Sequence, residues 1–375
     1  MVDDVTKTDA RALLNVNKMA MISDIVAPSN EYLYASGANT LDVVEGCVIA
    51  VGGAGIFKTA STTLTVANLD IGSAFAVGSD YYVYICDSRI NGEDERYMIS
   101  LNSTYPNGWN ASNSRKIGGF HYGRCRKVDG NLQPVNGSGV IFGTGWESAV
   151  SNGIVPRSVW TLGHRPKCNP EGMVYLGGGT WVDIYLDSDD GAKGLKSAYD
   201  CAPATGTEGL NWYNMAERLT RSGKRMPDYS EFCAYAFGSP QGLDDANTNA
   251  WTATTNTGRG KTGSVVNAVS AVGCVDAVGR VWEWLDELVT RAEHATNDNH
   301  KSQAWGWDTV RTLKAGEKDY DVGNIYQFYA DSLAALLAGG YWSDGSRAGA
   351  RAVSCASCPW YVYGNVGVRG ACDSM

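Results

Sequence analysis

The stretch NWYNMAERLTRSGKRMPDYSEFCAYAFG, residues 211–238, decides the fold class because it holds the clearest helical periodicity in the chain. Apolar residues recur there at i, i+3, i+4 and i+7, a spacing that gives a helix one apolar face. The pattern predicts a helix from about Asn211 to Arg221, with Gly223 where a C-terminal cap would stand. The apolar positions are Trp212, Met215, Ala216 and Leu219.

A second helix is predicted in the same stretch. Asp228 is followed three residues later by Glu231, the spacing of a capping box in which each side chain accepts a hydrogen bond from the other residue's backbone. Phe232 and Ala236 then share one face, and Gly238 is expected to end the helix.

Short strand patterns surround the two helices. Residues 21–150 alternate brief runs of Val, Ile, Thr and Tyr with Gly, Asn and Ser clusters, which predicts an antiparallel β-sandwich. Residues 151–375 combine the helices with short strands, so this half is predicted to be an α+β domain, and residues 1–20 an N-terminal tail. Residues 134–151 form a candidate linker or surface loop, and residues 287–331 a long polar loop without periodicity.

Composition argues against several classes of partner. The 375 residues include 31 Lys and Arg against 40 Asp and Glu, a net charge of −9, whereas a phosphate backbone rewards a basic face. We therefore expect no nucleic-acid partner. No apolar run approaches the roughly 18 residues of a membrane helix, and the first residues lack a signal-peptide core. The chain is expected to be soluble, without membrane insertion and without an export signal of its own.

Ten cysteines are scattered singly along the chain, apart from Cys355 and Cys358. Disulfide frameworks belong mainly to small secreted domains, so buried free thiols are predicted here. The Cys355–Cys358 motif has no second Cys-x-x-Cys and no histidine near it, so no metal site is predicted.

A set of short segments recurs in order through the second half. They are Gly172-Met-Val-Tyr-Leu176, Trp181-Val-Asp-Ile-Tyr185, Gly223-Lys-Arg-Met-Pro-Asp-Tyr-Ser-Glu-Phe232, Gly279-Arg-Val-Trp-Glu-Trp284, Gly339-Gly-Tyr-Trp342, Ala350-Arg-Ala352 and Gly367-Val-Arg-Gly370. In this order they resemble the formylglycine-generating-enzyme branch of the C-type lectin fold. Within that branch the chain most resembles the variable proteins of diversity-generating retroelements, without a gap over residues 339–373. Two further segments, Tyr82-Val-Tyr-Ile-Cys-Asp87 and Arg115-Lys-Ile-Gly-Gly-Phe-His-Tyr122, resemble the β-sandwich domain of that family.

The resemblance implies a C-type-lectin-type domain at 151–375 whose segment at about 341–366 is diversified by adenine-directed mutagenesis. It implies a receptor-binding protein that sets host tropism at the tip of a phage tail fibre, hence in the virion, as a homotrimer. Its partner would be a bacterial cell-surface receptor, expected to be a protein because the segment is rich in aromatic residues. A small β-prism that precedes the sandwich in a relative is not recognised, so virion attachment is expected to differ.

The gapless match carries over twelve variable ligand-binding positions. They are Tyr341, Ser343, Asp344, Gly345, Arg347, Ser354, Ala356, Ser357, Tyr361, Tyr363, Asn365 and Val366. Their side chains must face solvent if their identity is to vary, and the spacing of Tyr361, Tyr363 and Asn365 predicts a strand that presents one face. Tyr, Ser, Gly and Asn also dominate antibody paratopes. Residues between these positions are expected to be scaffold: Trp342, Arg351, Ala352, Pro359, Gly367, Arg369 and Gly370.

Three alternatives to a virion receptor-binding protein remain at this point. The first is a bacterial or prophage-encoded diversified binding protein at the cell surface or in the cytoplasm. The second is a purely structural fibre protein, in which the variable codons would not diverge between sister isolates. The third is a formylglycine-generating-type oxidoreductase. Such enzymes place reactive cysteines shortly after the Gly-Gly segment, where this chain has none, so no catalytic residue is predicted and the chain is expected not to be an enzyme.

A calcium-dependent lectin is a further alternative. Asp187-Ser-Asp-Asp190 has the carboxylate density of a calcium loop, but Ala198 stands at the twelfth position, where such a loop has an acidic residue. A solvated turn is predicted, with a structural calcium ion as the alternative and no other cofactor.

Overall fold

The computed structural model describes residues 20–22, 25–51, 55–87, 96–240, 258–290, 306–307, 324–326 and 333–375. Within these ranges the chain is mostly β, with two α-helices and several small sheets. None of the helices there is long and apolar enough to cross a membrane. The chain divides into two compact units.

Helix α1 spans Trp212–Arg221 and begins where the sequence predicts. The Asn211 side chain accepts a hydrogen bond from the backbone N–H of Asn214, which satisfies one of the free donors of the first turn. Met215 and Leu219 are its buried residues. Gly223 follows the helix with φ of 74°, a left-handed conformation that costs glycine little.

Helix α2 spans Tyr229–Ala236 and is capped as predicted. The Asp228 side chain accepts from the backbone N–H of Glu231, and the Glu231 side chain accepts from that of Asp228. Phe232 and Ala236 are both buried, and Gly238 follows with φ of 75°. Both helix predictions are confirmed.

Unit 1 comprises Met1–Ala74, Tyr81–Gly119 and Val159–His164. Its strands are short, and alternate residues are buried in two of them, as expected where one face covers a core. One sheet has the order β1 (Ala20–Ile22), β2 (Ile25–Ala27), β5 (Val48–Val51), β6 (Gly55–Lys58), and another has the order β3 (Leu33–Gly37), β4 (Thr40–Val43), β7 (Thr62–Leu64). In addition β8 (Ser79–Cys86) pairs with β9 (Arg96–Ser100), and β12 (Trp160–Thr161) pairs with Gly118 and Gly119 of β10 (Ser114–Arg126).

Unit 2 comprises Phe75–Asp80, Phe120–Ser158 and Arg165–Met375. Its largest sheet has the order β18 (Gly306–Trp307), β19 (Asn324–Tyr326), β21 (Val353–Ser357), β20 (Leu333–Ala338), β17 (Trp282–Thr290), β22 (Val366–Gly367). Smaller sheets join β13 (Met173–Gly177), β14 (Thr180–Asp183) and β23 (Ala371–Asp373), and pair β15 (Asp187–Asp189) with β16 (Leu195–Ser197). Strand β11 (Val150–Ile154) pairs with residues 122–126 of β10.

The two helices help to close two apolar clusters of unit 2. Phe232 and Tyr235 of α2 belong to one cluster, together with Leu285 of β17. Met215 of α1 belongs to the other, together with Trp284 of β17. Strand β17 therefore contributes to both clusters and also pairs with β22, next to the predicted variable segment.

Two loop predictions are revised in part. The candidate linker or surface loop at 134–151 is mostly turns with many exposed residues, as a surface loop would be, but Phe142 and Trp146 are buried within it and the Arg126 guanidinium lies 4.9 Å from the centre of the Trp146 ring. The predicted loop at 287–331 begins inside β17 and includes β18 and β19, while the rest of it lies outside the described residues.

The boundaries predicted at residues 20 and 150 stay predictions, and residues 1–19 of the expected tail lie outside the described residues. The sandwich packing of the first half likewise stays a prediction.

Candidate ligand-binding surface

The surface begins at a glycine pair that follows β20. Gly339 and Gly340 have φ of 90° and 84°, which is the left-handed region. A Cβ on Gly339 would lie 2.6 Å from the carbonyl oxygen of Ala277, and one on Gly340 would lie 2.8 Å from Ala348. Only glycine fits at either position, so the chain must turn out of the sheet here.

Residues 341–347 form a compact turn after this pair. The backbone N–H of Tyr341 donates to Asp344 Oδ2 at 2.9 Å, and that of Asp344 donates back to the Tyr341 carbonyl at 2.9 Å. Ser343 and Arg347 are exposed. Burial raises the pKa of Asp344 to about 6, although the Tyr341 N–H and the Arg347 charge act in the opposite direction. Asp344 therefore holds the turn by accepting the Tyr341 N–H, and its carboxyl group changes charge near pH 6.

Strand β21 carries three of the predicted variable positions. Ser354 is buried with 4% exposure, whereas Ala356 and Ser357 are half-buried. Ser354 lies opposite Leu337 of β20. The prediction that this serine faces solvent is wrong, because its face of the strand packs into unit 2.

The segment 358–365 carries the large exposed side chains of this surface. Trp360, Tyr361 and Val362 are 47%, 51% and 50% exposed, and they are consecutive. The segment is irregular rather than a strand, so the predicted alternation is wrong. The rings of Tyr361 and Tyr363 meet edge to face at 5.6 Å.

Backbone hydrogen bonds from surrounding elements hold this segment. The N–H of Trp212, the first residue of α1, donates to the Pro359 carbonyl at 3.1 Å. The N–H of Gly206 donates to Tyr363 at 2.8 Å, and that of Trp282 donates to Asn365 at 3.0 Å. Because none of these three contacts uses a side chain of the segment, its side chains can change while its path is kept.

A buried centre lies directly after the segment. Arg369 is fully buried, and its guanidinium donates to Glu283 at 3.1 Å and to the carbonyl oxygens of Asp183, Ile184 and Val275. Glu283 also accepts from the Tyr235 hydroxyl at 2.7 Å. The Arg369 charge and these hydrogen bonds lower the pKa of Glu283, but desolvation by burial is the larger effect and the net direction is upward.

Val366 is the second predicted variable residue that does not reach the surface. It is 2% exposed and pairs with Trp282 in the parallel pair of β22 and β17. The other predicted positions keep at least partial exposure, and they are Tyr341, Ser343, Asp344, Gly345, Arg347, Ala356, Ser357, Tyr361, Tyr363 and Asn365. They lie in the turn at 341–347, at the C-terminal end of β21 and in the segment 358–365.

The residues predicted as scaffold act in different ways. Ala352, Pro359, Gly367 and Gly370 are buried. Trp342 is half-buried against the Tyr341 ring, with centroids 5.2 Å apart. The Arg351 side chain is exposed, against expectation, and this residue contributes its carbonyl, which accepts from the Tyr229 hydroxyl at 2.9 Å.

Two exposed residues of the surface were not predicted. Trp360 and Val362 fell between the carried-over positions, and the period-two interpretation placed them on the hidden face of a strand. The sequence did hold a signal for them, the run of four large residues at 360–363. This run directly follows Pro359, and such a run can form an exposed loop instead of a strand.

The acidic cluster at 187–190 is not a solvated turn. Asp187 is fully buried in β15, with Lys224 Nζ 3.9 Å from it. Asp189 is paired with Arg218, and Asp190 is paired with Lys196 at 2.8 Å. Each carboxylate faces a cation of the protein, which disfavours a calcium ion there. Within the described ranges, no group of three or more His, Cys, Asp and Glu side chains could hold a metal ion.

A second buried ionic group lies beside Arg369. Lys224 donates to both oxygens of Asp183, at 2.7 and 2.8 Å. Asp183 also accepts from the backbone N–H of Gly370 at 3.0 Å. Desolvation by burial raises the pKa of Asp183 and raises that of Asp187 further. The charge of Asp183 adds to the effect at Asp187, since the two buried carboxylates share one lysine. The chain after the variable segment is thus fixed through fully buried polar contacts.

Comparisons with known proteins agree with this description. Residues 31–147 match the family described as "Mtd second domain". The chain is 28% identical over 358 residues to the tail fiber receptor-binding protein of Bordetella phage BPP-1, covering 91% of this chain and 81% of that protein.

Solved structures give the same result. The U1 variant of the major tropism determinant is 25% identical, with a TM-score of 0.66 over 94% of this chain and 86% of that one. The M1 variant is 24% identical, with a TM-score of 0.67 over 96% of this chain and 87% of that one.

The fold and the surface describe a class of mostly β proteins. In this class, loops near the C-terminus form an exposed surface, and buried polar contacts hold the chain directly after it. Within that class, the chain is a homologue of the major tropism determinant of Bordetella phage, and its residues 31–147 correspond to the second domain of that protein. The resemblance predicted from the sequence is confirmed.

Proposed function

We propose that the chain is the receptor-binding protein of a phage tail fibre, and that it determines which bacteria the particle recognises. Its homologue in phage BPP-1 carries that description. In this proposal the chain belongs to the virion, and residues 151–375 form a C-type-lectin-type domain that follows a β-sandwich at 21–150.

One observation carries the assignment of the binding surface. Trp360, Tyr361 and Val362 are consecutive, large and about half exposed, yet the segment that bears them is held through its backbone. Large apolar side chains that stay half exposed stabilise the fold less than buried ones do, whereas aromatic side chains are favoured anchors in protein interfaces. Such an arrangement suits contact with a partner.

The partner that fits this surface is a bacterial cell-surface protein. The exposed predicted positions combine Tyr with Ser, Gly and Asn, the combination that supplies rigid contact area and adaptable hydrogen bonds in paratopes. The surface is smaller than the roughly 20–30 residues per side of a standard interface. Display as a homotrimer on several fibres would raise avidity by about 10²–10⁴ over one site.

Diversification by a retroelement extends this proposal to the gene. The template would be an imperfect repeat of the coding sequence for the terminal segment, differing at adenines and close to a reverse-transcriptase gene. Sequencing the neighbouring DNA checks this. A phage structural gene cluster around it supports the virion, whereas a bacterial locus without one supports a cell-borne binding protein.

A binding role without catalysis fits the positions of the cysteines. Cys355 lies in β21 and Cys358 follows it, beyond the turn at 341–347 where an oxidoreductase of this fold would place its reactive pair. Thiol-dependent copper binding and oxygen consumption are both expected to be absent.

The experiment compares two tyrosines of equal exposure. Tyr361 is 51% exposed on the proposed surface, and Tyr34 is 50% exposed in unit 1. Purified Tyr361→Ala and Tyr34→Ala variants are measured for binding to susceptible cells, together with the unchanged protein. We expect Tyr361→Ala to lower affinity about tenfold or more, as an aromatic anchor does, and Tyr34→Ala to have no effect. Equal binding by all three proteins would overturn the assignment of the surface.

A further inference from the structure

Two thiols meet near the C-terminus, outside the proposed binding surface. The backbone N–H of Cys168 donates to Cys372 Sγ at 3.3 Å. Cys372 is 4% exposed, whereas Cys168 is half-buried.

The backbone register places these residues opposite each other. Pro166 and Ser374 form an antiparallel bridge. Lys167 N donates to the carbonyl of Asp373 at 2.9 Å, and Met375 N donates to that of Arg165 at 3.0 Å, so the bridge is a pair without mutual hydrogen bonds. Two residues further along each segment, Cys168 faces Cys372.

The two cysteines lie close enough for a disulfide. Disulfides have Cα atoms about 4.4–6.8 Å apart, and a backbone nitrogen of Cys168 only 3.3 Å from the sulfur of Cys372 is consistent with that range. The hydrogen bond from Cys168 N to the sulfur of Cys372 shows that the Cys372 side chain is turned toward the other segment. Little backbone movement would be needed to join the sulfurs.

The surroundings also divide the two thiols chemically. The Cys168 side chain, and then the backbone N–H groups of Cys168 and Lys167, lower the pKa of Cys372. The hydrogen bond to Cys372, and then burial, raise the pKa of Cys168. The two thiols therefore differ in acidity, and the lowered pKa of Cys372 favours its thiolate form.

We propose that Cys168 and Cys372 form a disulfide in an oxidising environment, and that this bond fastens the C-terminal strand β23 to the segment at 166–168. Strand β23 comes directly after the buried centre that supports the variable segment. The bond would therefore stabilise the display domain without using any residue of the variable segment.

The reaction needs a small-molecule disulfide, such as oxidised glutathione, as the oxidant. The more exposed Cys168 loses its proton to solvent and attacks the reagent, whose sulfur–sulfur bond breaks and releases one thiolate. Cys372 then loses its own proton to solvent and attacks the Cys168 sulfur, which breaks the mixed disulfide and releases the second thiolate. Two cysteine thiols are oxidised, and the reagent is reduced to two thiols that take up the two protons.

The expected gain in stability follows from the length of the closed loop. The two cysteines are 204 positions apart, and a cross-link over so long a loop removes much conformational freedom from the unfolded chain. A chain made in a reducing cytoplasm and displayed outside the cell would acquire the bond after release. That last step rests on the proposed virion location, whereas bond formation itself does not.

The test uses the purified full chain with no receptor present. The protein is incubated with oxidised glutathione or with a reducing thiol, digested without reduction and mapped by mass spectrometry. We expect a cross-linked peptide pair containing Cys168 and Cys372 in the oxidised sample alone. The oxidised protein is also expected to melt about 5–10 °C higher than the reduced protein.

Two variants separate this pair from other thiols. Cys168→Ser should lose the cross-linked peptide and the redox dependence of its melting temperature. Cys201→Ser, which removes another half-buried thiol of unit 2, should retain both. A folded wild-type protein in which Cys168 and Cys372 stay as thiols, or pair with other cysteines, would overturn the proposal even if both variants misfolded. Receptor binding is not measured, so neither outcome bears on the proposed function.

Discussion

Residues 360–363 and residues 366–370 lie side by side in the sequence but have opposite surroundings. Trp360, Tyr361 and Val362 are each about half exposed, whereas Val366 and Arg369 have 2% and 0% exposure. The first group is held through backbone atoms alone, whereas the second is held through backbone pairing and also through the buried side chain of Arg369. The difference shows how one short terminus can permit change in one part and prohibit it in the next.

The largest effect is expected where a buried charge loses its partner. Arg369→Ala leaves the Glu283 carboxylate buried without its cation and several carbonyl oxygens without their donor. Breaking a buried pair in this way costs about 3–5 kcal/mol in the free energy of unfolding. Urea denaturation of Arg369→Ala and of Arg347→Ala, an exposed arginine of the variable turn, measures the contrast. The Arg347 variant is expected to stay within about 0.5 kcal/mol of wild type.

A double variant sharpens that result. Arg369→Met combined with Glu283→Gln removes both charges, so it is expected to be more stable than Arg369→Ala alone. If it is equally unstable, the loss at Arg369 comes from its hydrogen bonds to carbonyl oxygens rather than from the stranded charge.

The two glycine positions of the terminal turn test the same contrast in the backbone. Gly340 and Gly345 both have positive φ, but a Cβ on Gly340 would meet Ala348 at 2.8 Å, whereas one on Gly345 has nothing within 4 Å. Gly340→Ala is expected to destabilise the protein by about 2–4 kcal/mol, because strain and a clash add together. Gly345→Ala adds only the backbone strain, so it is expected to lower the free energy of unfolding by about 1 kcal/mol. So small a loss is what a position that varies in sequence must tolerate. Equal losses in thermal unfolding would contradict this distinction.

The sequence predicted what depends on local chemistry. Both helix predictions were correct because Asn211 and Asp228 are residue types that cap helix N-termini and because the apolar spacing extends over whole helical turns. The gapless ending was also sufficient to propose the surface. Ser354, Val362 and Val366 were misplaced because exposure depends on which neighbouring strand covers a residue. That information comes from β17 and β20, which are distant in sequence.

For the buried polar centre, the sequence predicted one residue but not its partners. The sequence marks Arg369 as fixed, but nothing local identifies Glu283 as its partner, 86 residues away. The same holds for the pairing of Lys224 with Asp183 across 41 residues. Long-range charge pairs are chosen by the topology of the sheets, which a single sequence does not display.

A pair of tryptophans is expected to separate binding from stability. Trp360 is 47% exposed, and Trp284 is 1% exposed in the core. Trp360→Ala should leave the free energy of unfolding within about 0.5 kcal/mol of wild type but lower affinity for receptor-bearing cells about tenfold or more. Trp284→Ala should cost about 3–5 kcal/mol in stability. A Trp360 variant that binds normally would restrict the surface to the predicted variable positions.

The smallest effect concerns Asp344, a half-buried carboxylate of the proposed binding surface. Asp344 has a pKa of about 6 in the folded chain, above the ordinary value of 3.8, because burial disfavours its charged form. A raised carboxylate pKa favours the folded state below about pH 4, and this contribution is lost as the pH rises through about 6. Each pKa unit corresponds to about 1.4 kcal/mol, and partial solvent exposure reduces this, so we expect a loss of about 1 kcal/mol.

Asp344→Asn isolates that contribution. The asparagine keeps an oxygen that can accept from the Tyr341 N–H but does not titrate, so the difference in unfolding free energy between wild type and variant should change between pH 4 and pH 7 and be flat above it. Chemical denaturation at a series of pH values measures this difference, from which groups that titrate equally in both proteins cancel. A constant difference over the whole range would mean that solvent reaches Asp344 freely. Asp344 would then belong with the exposed residues of the surface rather than with the frame that holds them.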